Sequence, residues 1–247
     1  MTNYTVQYES GDDVELEYND EKHSYVVDGK QVPAVTRVVD AVSPKNLTDW
    51  AAKAGADWWL NNHSDDVEMQ PVMYDGIRYA HKEISREAQK IGSDVHRWIE
   101  LYIRGEMEDI ELSVEYPDNV KVPMENFHKW VEARKVEWLG SEEKVYSKMW
   151  NYAGTIDALA RINGELYVID FKTSAKIYKE YYLQVYGYAQ AVHEMGKSPH
   201  YPKGMIVRLD KNEDKYQEAA FECEPRIFHY ALSLKEFQSK RIKKIKV

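Results

Sequence analysis

Apolar positions change their period several times along this chain, and each change marks an element. Near the amino terminus, HSYVVDG and QVPAVTRVV hold β-branched and aromatic residues in short runs that predict strands, the first closed by a turn at Asp28-Gly29. Leu47, Trp50, Ala51 and Ala54 then recur at helical spacing, with Ser43-Pro44 as a start signal. Residues 61–76 are polar and rich in turn formers, which predicts a loop of the kind that often borders a site. From Ile77 to Arg104 the period is helical again: Ile84, Ala88, Ile91, Val95, Trp98 and Tyr102 form a core stripe that Gly105 closes. A second helix is predicted from Met124 to Trp138, with a connector between the two.

In the second half, residues from Lys144 to Thr173 alternate, broken by turn signals at Trp150-Asn151-Tyr152 and Asn163-Gly164, and predict a meander of three strands. A helix from Tyr178 to Met195, stopped by Gly196, precedes two further strands, MIVRLD and AAFECEP. A last helix from Arg226 carries a basic end, Lys240 to Lys246, which on its own is an ordinary solvated helix face. This interleaving predicts a mixed α/β fold, with a central mostly antiparallel or mixed sheet flanked by helices. With no internal repeat and no low-complexity linker, one domain is expected over residues 1–247. It divides into a strand-rich start and helical half (1–140), a sheet core (141–225) and a C-terminal helix (226–247).

Composition narrows the function classes. Apolar residues make up 43% and charged residues 30%, and no apolar run approaches the roughly 20 residues that span a bilayer. The opening MTNYTVQYESGDDVELEY has neither a basic n-region nor an apolar h-region, so a cytoplasmic location is expected. Cys223 is the only cysteine, which excludes an internal disulfide, a four-cysteine zinc site and an iron-sulfur cluster. A bound metal must therefore use oxygen and histidine ligands. A net charge of -9 argues against a nonspecific nucleic-acid coat, but not against an enzyme whose positive potential is confined to a groove.

The candidate chemistry sits in GTIDALARINGELYVIDFKTS. If Asn163-Gly164 is a two-residue turn, Ile162 faces Glu165, and counting back sets Asp157 opposite Asp170. Carboxylates so placed have Cβ atoms about 4.5–5.5 Å apart and repel. A cation between them removes that cost. The strand period puts Lys172 on the same face as Asp170, while Phe171 points away and leaves its carbonyl near the site. Two carboxylates, a main-chain oxygen and an ammonium suit a hard cation such as Mg2+, which polarises a phosphate oxygen and acidifies a bound water. The bare spacing also fits a polar sheet surface with Lys172 as a solvated counterion. Leu159, Leu166 and Val168 share the face, however, and burial makes unpaired carboxylates costly there.

G-T-I-D, then D-F-K-T-S, then a helix carrying Y-x-x-Q-x-x-x-Y resemble the core of the PD-(D/E)XK nucleases over about residues 142–190. The likeness is to the RecB-like and phage-exonuclease branch, to which the mitochondrial genome-maintenance exonuclease belongs. Upstream, H-S-Y-V-V-D-G-K-Q-V-P-A-V-T, L-T-D-W-A and A-Q-K-I-G-S-D-V-H-R-W-I-E are similar to the helical amino-terminal half of that branch. The resemblance implies a restriction-endonuclease-like core binding one or two Mg2+ or Mn2+ ions. Asp157 and Asp170 would be metal ligands, Phe171 a main-chain ligand and Lys172 the catalytic lysine. His96 would be a further ligand favouring Mn2+ alongside Mg2+, and Gly92, one turn earlier, would permit close approach of another element. Tyr181, Gln184 and Tyr188 share one helix face and would reach substrate or brace Lys172. Glu142 and Glu143 stand where relatives carry an acidic residue, and the sequence does not say which of them faces the site.

The activity so implied is a metal-dependent DNA exonuclease acting at single-stranded or duplex ends in recombination, repair or replication. Recombination or replication proteins are the implied partners, and a host cytoplasm the location for a phage-encoded chain. An endonuclease with the same chemistry and a noncatalytic nucleic-acid-binding module are the alternatives. Gly196-Lys197-Ser198 closes a helix and lacks the upstream glycine of a phosphate loop, so no nucleotide cofactor is expected. Trp50, Trp58, Trp59 and Tyr74 are candidate base-stacking residues, and core packing explains them equally well.

Overall fold

The structure is a computed structural model and describes residues 1–43, 47–63, 71–106 and 116–240. Strands β1 (Thr2–Val6), β2 (Val14–Asn19), β3 (Ser24–Val27) and β4 (Lys30–Val32) form an antiparallel meander at the amino terminus. The predicted strand QVPAVTRVV is realised only as far as Val32. Pro33 brings no N–H to a ladder, and helix α1 (Val35–Val42) follows, burying Val35, Val38 and Val39 at helical spacing. Here burial of one face outweighs the strand preference of β-branched residues.

Helices α2 (Thr48–Asn62) and α3 (Pro71–Ile103) pack on one another. Residues 71–76 are thus helical rather than loop, while 64–70 and Pro44 lie outside the described residues. The contact with α2 is close: a Cβ on Gly55 would lie 3.0 Å from Ile77, and Gly76 backs onto the Trp58 indole. Among the described residues, only Ala80 is buried in the first half of α3. Ile84, expected in the core stripe, is 46% exposed because this half of the helix runs beyond the sheet. Ile91, Val95 and Trp98 do reach the core, and Gly105 ends the helix with a left-handed φ of 67°.

Helix α4 (Asp118–Arg134) starts and stops earlier than predicted. Lys135 takes a left-handed conformation that ends it, and Trp138 belongs to the next strand. The second sheet comprises β5 (Glu137–Ser147), β6 (Tyr152–Ile162), β7 (Glu165–Lys172), β8 (Lys203–Leu209) and β9 (Tyr216–Phe221), hydrogen-bonded in that order. All neighbours are antiparallel except β7 and β8, which are parallel and joined through helix α5 (Lys179–Glu194). Helix α6 (Pro225–Ser239) closes the described fold, and the basic end from residue 241 lies outside the described residues. The mixed α/β arrangement is as expected.

Strand alternation sends side chains to two cores. Leu159, Leu166, Val168 and Ile206 face α1, α5, α6 and the amino-terminal sheet. Ala160, Ile169, Phe171 and Val207 face α3 and α4, where Trp98, Phe127 and Trp130 are fully buried. Each such large side chain contributes roughly 1.5–3 kcal/mol by leaving water. No helix among the described residues is long and apolar enough to cross a membrane.

Candidate metal and phosphodiester site

Three carboxylates lie in one row across β5, β6 and β7. Ile162 faces Glu165, and the ladder runs to Ala158 opposite Ile169, which sets Asp157 and Asp170 at the next position, as the turn chemistry predicts. There the ladder stops. The N–H of Phe171 donates to Asp157 Oδ2 at 2.8 Å instead of to a strand carbonyl. On the other side of β6, Ser141 pairs with Ala158 and Glu143 with Ile156, so Glu142 stands opposite Asp157. Glu142 adopts a left-handed φ of 53°, a conformation that costs a residue with a Cβ roughly 1–2 kcal/mol. Glu143 turns away and pairs with Lys197. Glu142 is therefore the acidic residue that faces the row.

Helix α3 brings His96 to the same point. Its Nδ1 lies 3.5 Å from Asp157 Oδ2, and its Nε2 donates to the Phe171 carbonyl at 3.0 Å. Ligand atoms of His96, Glu142 and Asp157 all lie within 4.8 Å of one another, a grouping that could hold a metal ion. Asp170, expected to share an ion with Asp157, is not in this trio. It is 1% exposed, and its Oδ1 accepts from Lys172 Nζ at 2.7 Å. Its other oxygen, Oδ2, is buried and has no partner among the described residues. The main-chain oxygen of Phe171 already accepts from His96, which leaves one lone pair for any other ligand role.

The charges of the site are poorly balanced. Burial, followed by the charge of Asp157, pushes Glu142 up to about 7. Burial likewise raises Asp170 to about 6 against the pull of Lys172. Burial opposes ionisation of Asp157 too, yet the imidazole of His96, Lys172 and the Phe171 N–H hold it below the usual carboxylate range. For His96, burial is outweighed by the charge and hydrogen bond of Asp157, and the imidazole is held up to about 9. Lys172 is kept protonated by Asp170 and Asp157 despite its burial. Two carboxylates whose ionisation burial opposes, one of them with an oxygen that has no donor among the described residues, form a site short of positive charge. Oxygen and imidazole donors with these deficits fit a divalent cation of the Mg2+ or Mn2+ kind.

The site floors an open cleft of about 950 Å3 lined by His96, Glu142, Asp157, Lys172, Gln184 and Tyr188, among others. Gln184 Nε2 donates to the Tyr188 hydroxyl at 3.0 Å, and Lys172 Nζ lies 5.0 Å from the ring centre of Tyr181. All three expected helix residues thus sit at or beside the cleft. Gly154 makes room for them, since a Cβ there would come within 2.5 Å of the Tyr188 ring. Gly92 is not needed in this way: a Cβ there would be in ordinary contact, 3.6 Å from Thr173 Oγ1. Trp50, Trp58, Trp59 and Tyr74 are not among the residues lining the cleft. Instead Trp50 meets His81 edge-on, and Trp59 stacks on His63.

Sequence reasoning passed over Lys144 and Tyr25. Lys144 reaches the carbonyl of Glu142 at 3.3 Å and lies 4.8 Å from the ring centre of Tyr18; burial lowers its pKa. The hydroxyls of Tyr25 and Thr155 are 2.8 Å apart and tie the amino-terminal sheet to β6 beside Asp157. No local pattern marks the contact of Lys144 with Tyr18 or that of Tyr25 with Thr155, because each spans the two sheets.

No protein-family profile matches the chain, and no curated protein is significantly similar to it. Among solved structures the chain is similar to SSO0001, with 12% identity, a TM-score of 0.37, and coverage of 78% of this chain and 87% of that one. It is also similar to an alkaline exonuclease (LHK-Exo) from Laribacter hongkongensis, with 10% identity, a TM-score of 0.36, and coverage of 61% and 85%. At these TM-scores neither likeness identifies a function.

Proposed function

We propose that this protein is a metal-dependent nuclease that hydrolyses phosphodiester bonds of DNA, acting as an exonuclease. The observation that carries the reading is the convergence of His96, Glu142 and Asp157 within 4.8 Å of one another on the floor of an open cleft, with Lys172 beside them and paired to the buried Asp170. His96, Asp157 and Glu142 would hold a divalent cation, which would supply positive charge for a phosphate oxygen and a more acidic water. The chain's own residues do the rest. Lys172 is held charged, so its free N–H donors suit stabilising negative charge on the phosphate rather than deprotonating water. Gln184 and Tyr188, coupled by their hydrogen bond, orient the strand beside Lys172. The preference for exonuclease over endonuclease action rests on the motif resemblance.

The test is degradation of end-labelled linear single-stranded and duplex DNA with Mg2+, Mn2+ or EDTA, with Asp170→Asn run alongside. Cleavage that requires the ion and is lost in the variant is expected. Covalently closed single-stranded circles should stay intact, and their cleavage would replace the exonuclease by an endonuclease. Binding of DNA without cleavage under any ion would leave a noncatalytic binding module.

A further inference from the structure

We infer that a second, basic cleft between the amino-terminal sheet and α6 is a track for the sugar-phosphate backbone of the strand being cut. The inference rests on the nuclease reading above. This cleft, of about 610 Å3, is lined by Lys22, Arg37, Lys235 and Lys240, with Glu236 as its only acid among the described residues. Acidic residues outnumber basic ones in the whole chain, 42 to 33, so an average patch of this surface leans negative. Cations concentrated against that background are informative. They come from separate parts of the chain: Lys22 from the β2–β3 turn, Arg37 from α1, and Lys235 and Lys240 from the end of α6. Among the described residues, none of them makes an ion pair. Like charges gathered from several elements repel one another, and a polyanion relieves that repulsion while releasing its own counterions.

Continuity selects the polyanion. His23 and Ala34 line both this cleft and the one that holds the carboxylate row, so the two concavities meet. At the junction His23 has a left-handed φ of 46°, and its Nδ1 is 2.8 Å from the Tyr18 hydroxyl. A strand whose phosphodiester lies over Asp157 therefore continues along a wall of cations. Among the described residues His23 is the only aromatic ring lining the basic cleft, while Ser24, Gln31 and Ser239 add hydrogen-bonding groups, so the contacts suit phosphates and sugars rather than base edges.

The test measures binding in EDTA, where cleavage cannot interfere. Fluorescence anisotropy with a labelled single-stranded oligonucleotide of about 15 nucleotides is read over a range of salt for the full chain, for Arg37→Glu/Lys235→Glu and for Arg37→Gln/Lys235→Gln. Lys129→Gln/Lys203→Gln, on other surfaces, matches the net charge of the glutamine pair. The glutamate pair should weaken binding at least about tenfold and the glutamine pair less. Either pair should flatten the slope of log affinity against log salt by about 1.4, the loss of two single-strand phosphate contacts. The glutamine pair decides if the glutamate pair melts early. Affinity and slope equal to those of the control would overturn the track, as would absence of oligonucleotide binding by the unchanged protein. Loss of binding in the cleft variants of a protein that cleaves nothing would leave the track standing and sink the nuclease.

Discussion

Nε2 of His96 donates to the main-chain oxygen of Phe171 at 3.0 Å, which ties α3 to the end of β7 and leaves Nδ1 as the nitrogen that faces Asp157 and Glu142. In the metal-free protein that nitrogen keeps a proton, because Asp157 outweighs burial and holds the imidazole up to about 9. Stability from this ion pair is fully present below about pH 6.5, the ordinary histidine value, and is lost as pH rises through about 9. Ion binding must displace the same proton. Mn2+ affinity, followed by electron paramagnetic resonance, should therefore rise by up to about tenfold per pH unit from about 7.5 to 9, above the titration of Glu142. His96→Gln should flatten this rise, and an unchanged slope in that variant would assign the proton elsewhere.

Glu142 holds a backbone conformation suited to glycine, and it does so where its carboxylate meets Asp157. Glu142→Gly should relieve roughly 1–2 kcal/mol of local strain. Thermal melting in EDTA should show the variant at least as stable as the unchanged protein. The same variant should bind Mn2+ more weakly and lose metal-dependent hydrolysis. A destabilised variant with intact ion affinity would reverse this assignment of strain to function.

Two glycines near the cleft should respond oppositely to alanine. Gly154→Ala drives a methyl into the Tyr188 ring and should cost about 1–3 kcal/mol, displacing the Gln184–Tyr188 pair. Gly92→Ala finds ordinary contact distance in the middle of α3 and should stabilise the fold by about 0.5–1 kcal/mol. Urea unfolding in EDTA compares the two directly.

Acid sensitivity should trace to Asp210 at the end of β8. Burial opposes its charge, but the N–H groups of Asn212 and Glu213 and the guanidinium of Arg208, 2.6 Å away, hold it down to about 2. This contribution is present above about pH 4 and is lost as pH falls toward 2. Asp210→Asn leaves Arg208 buried without its countercharge and should cost about 3 kcal/mol at neutral pH. The gap between variant and unchanged protein should narrow on acidification in chemical-denaturation curves.

Much of the carboxylate row was legible because one turn fixes it. Asn163-Gly164 sets the register of β6 on β7, and every pairing back to Asp157 and Asp170 follows. The place of Glu142 was not legible. The register of β5 on β6 shifts between Trp138 and Gly140; without that bulge, extending the pairing of Trp138 with Ala160 would bring Ser141 opposite Asp157. A bulge leaves little trace in sequence beyond a glycine. The separation of Asp170 from the His96 trio depends on how α3 docks, which no local pattern encodes. The same holds for the misread run QVPAVTRVV, where docking of α1 against α5 and α6 decided between two plausible periods. Ile84 fits the helical period equally well and is exposed only because α3 outruns the sheet.

The three carboxylates come from consecutive strands joined by tight turns, so local hairpin closure assembles them with little loss of loop entropy. His96 reaches them from far upstream, and only through the hydrogen bond and ion pair that seat α3 on the sheet. Short sequence separation favours early closure of the acidic hairpins, whereas the complete set of ion ligands requires α3 to be docked. Uptake of Mn2+ during refolding should therefore report the docking of α3 onto the sheet, and an ion present from the start should speed that docking only as far as the carboxylates alone can hold it.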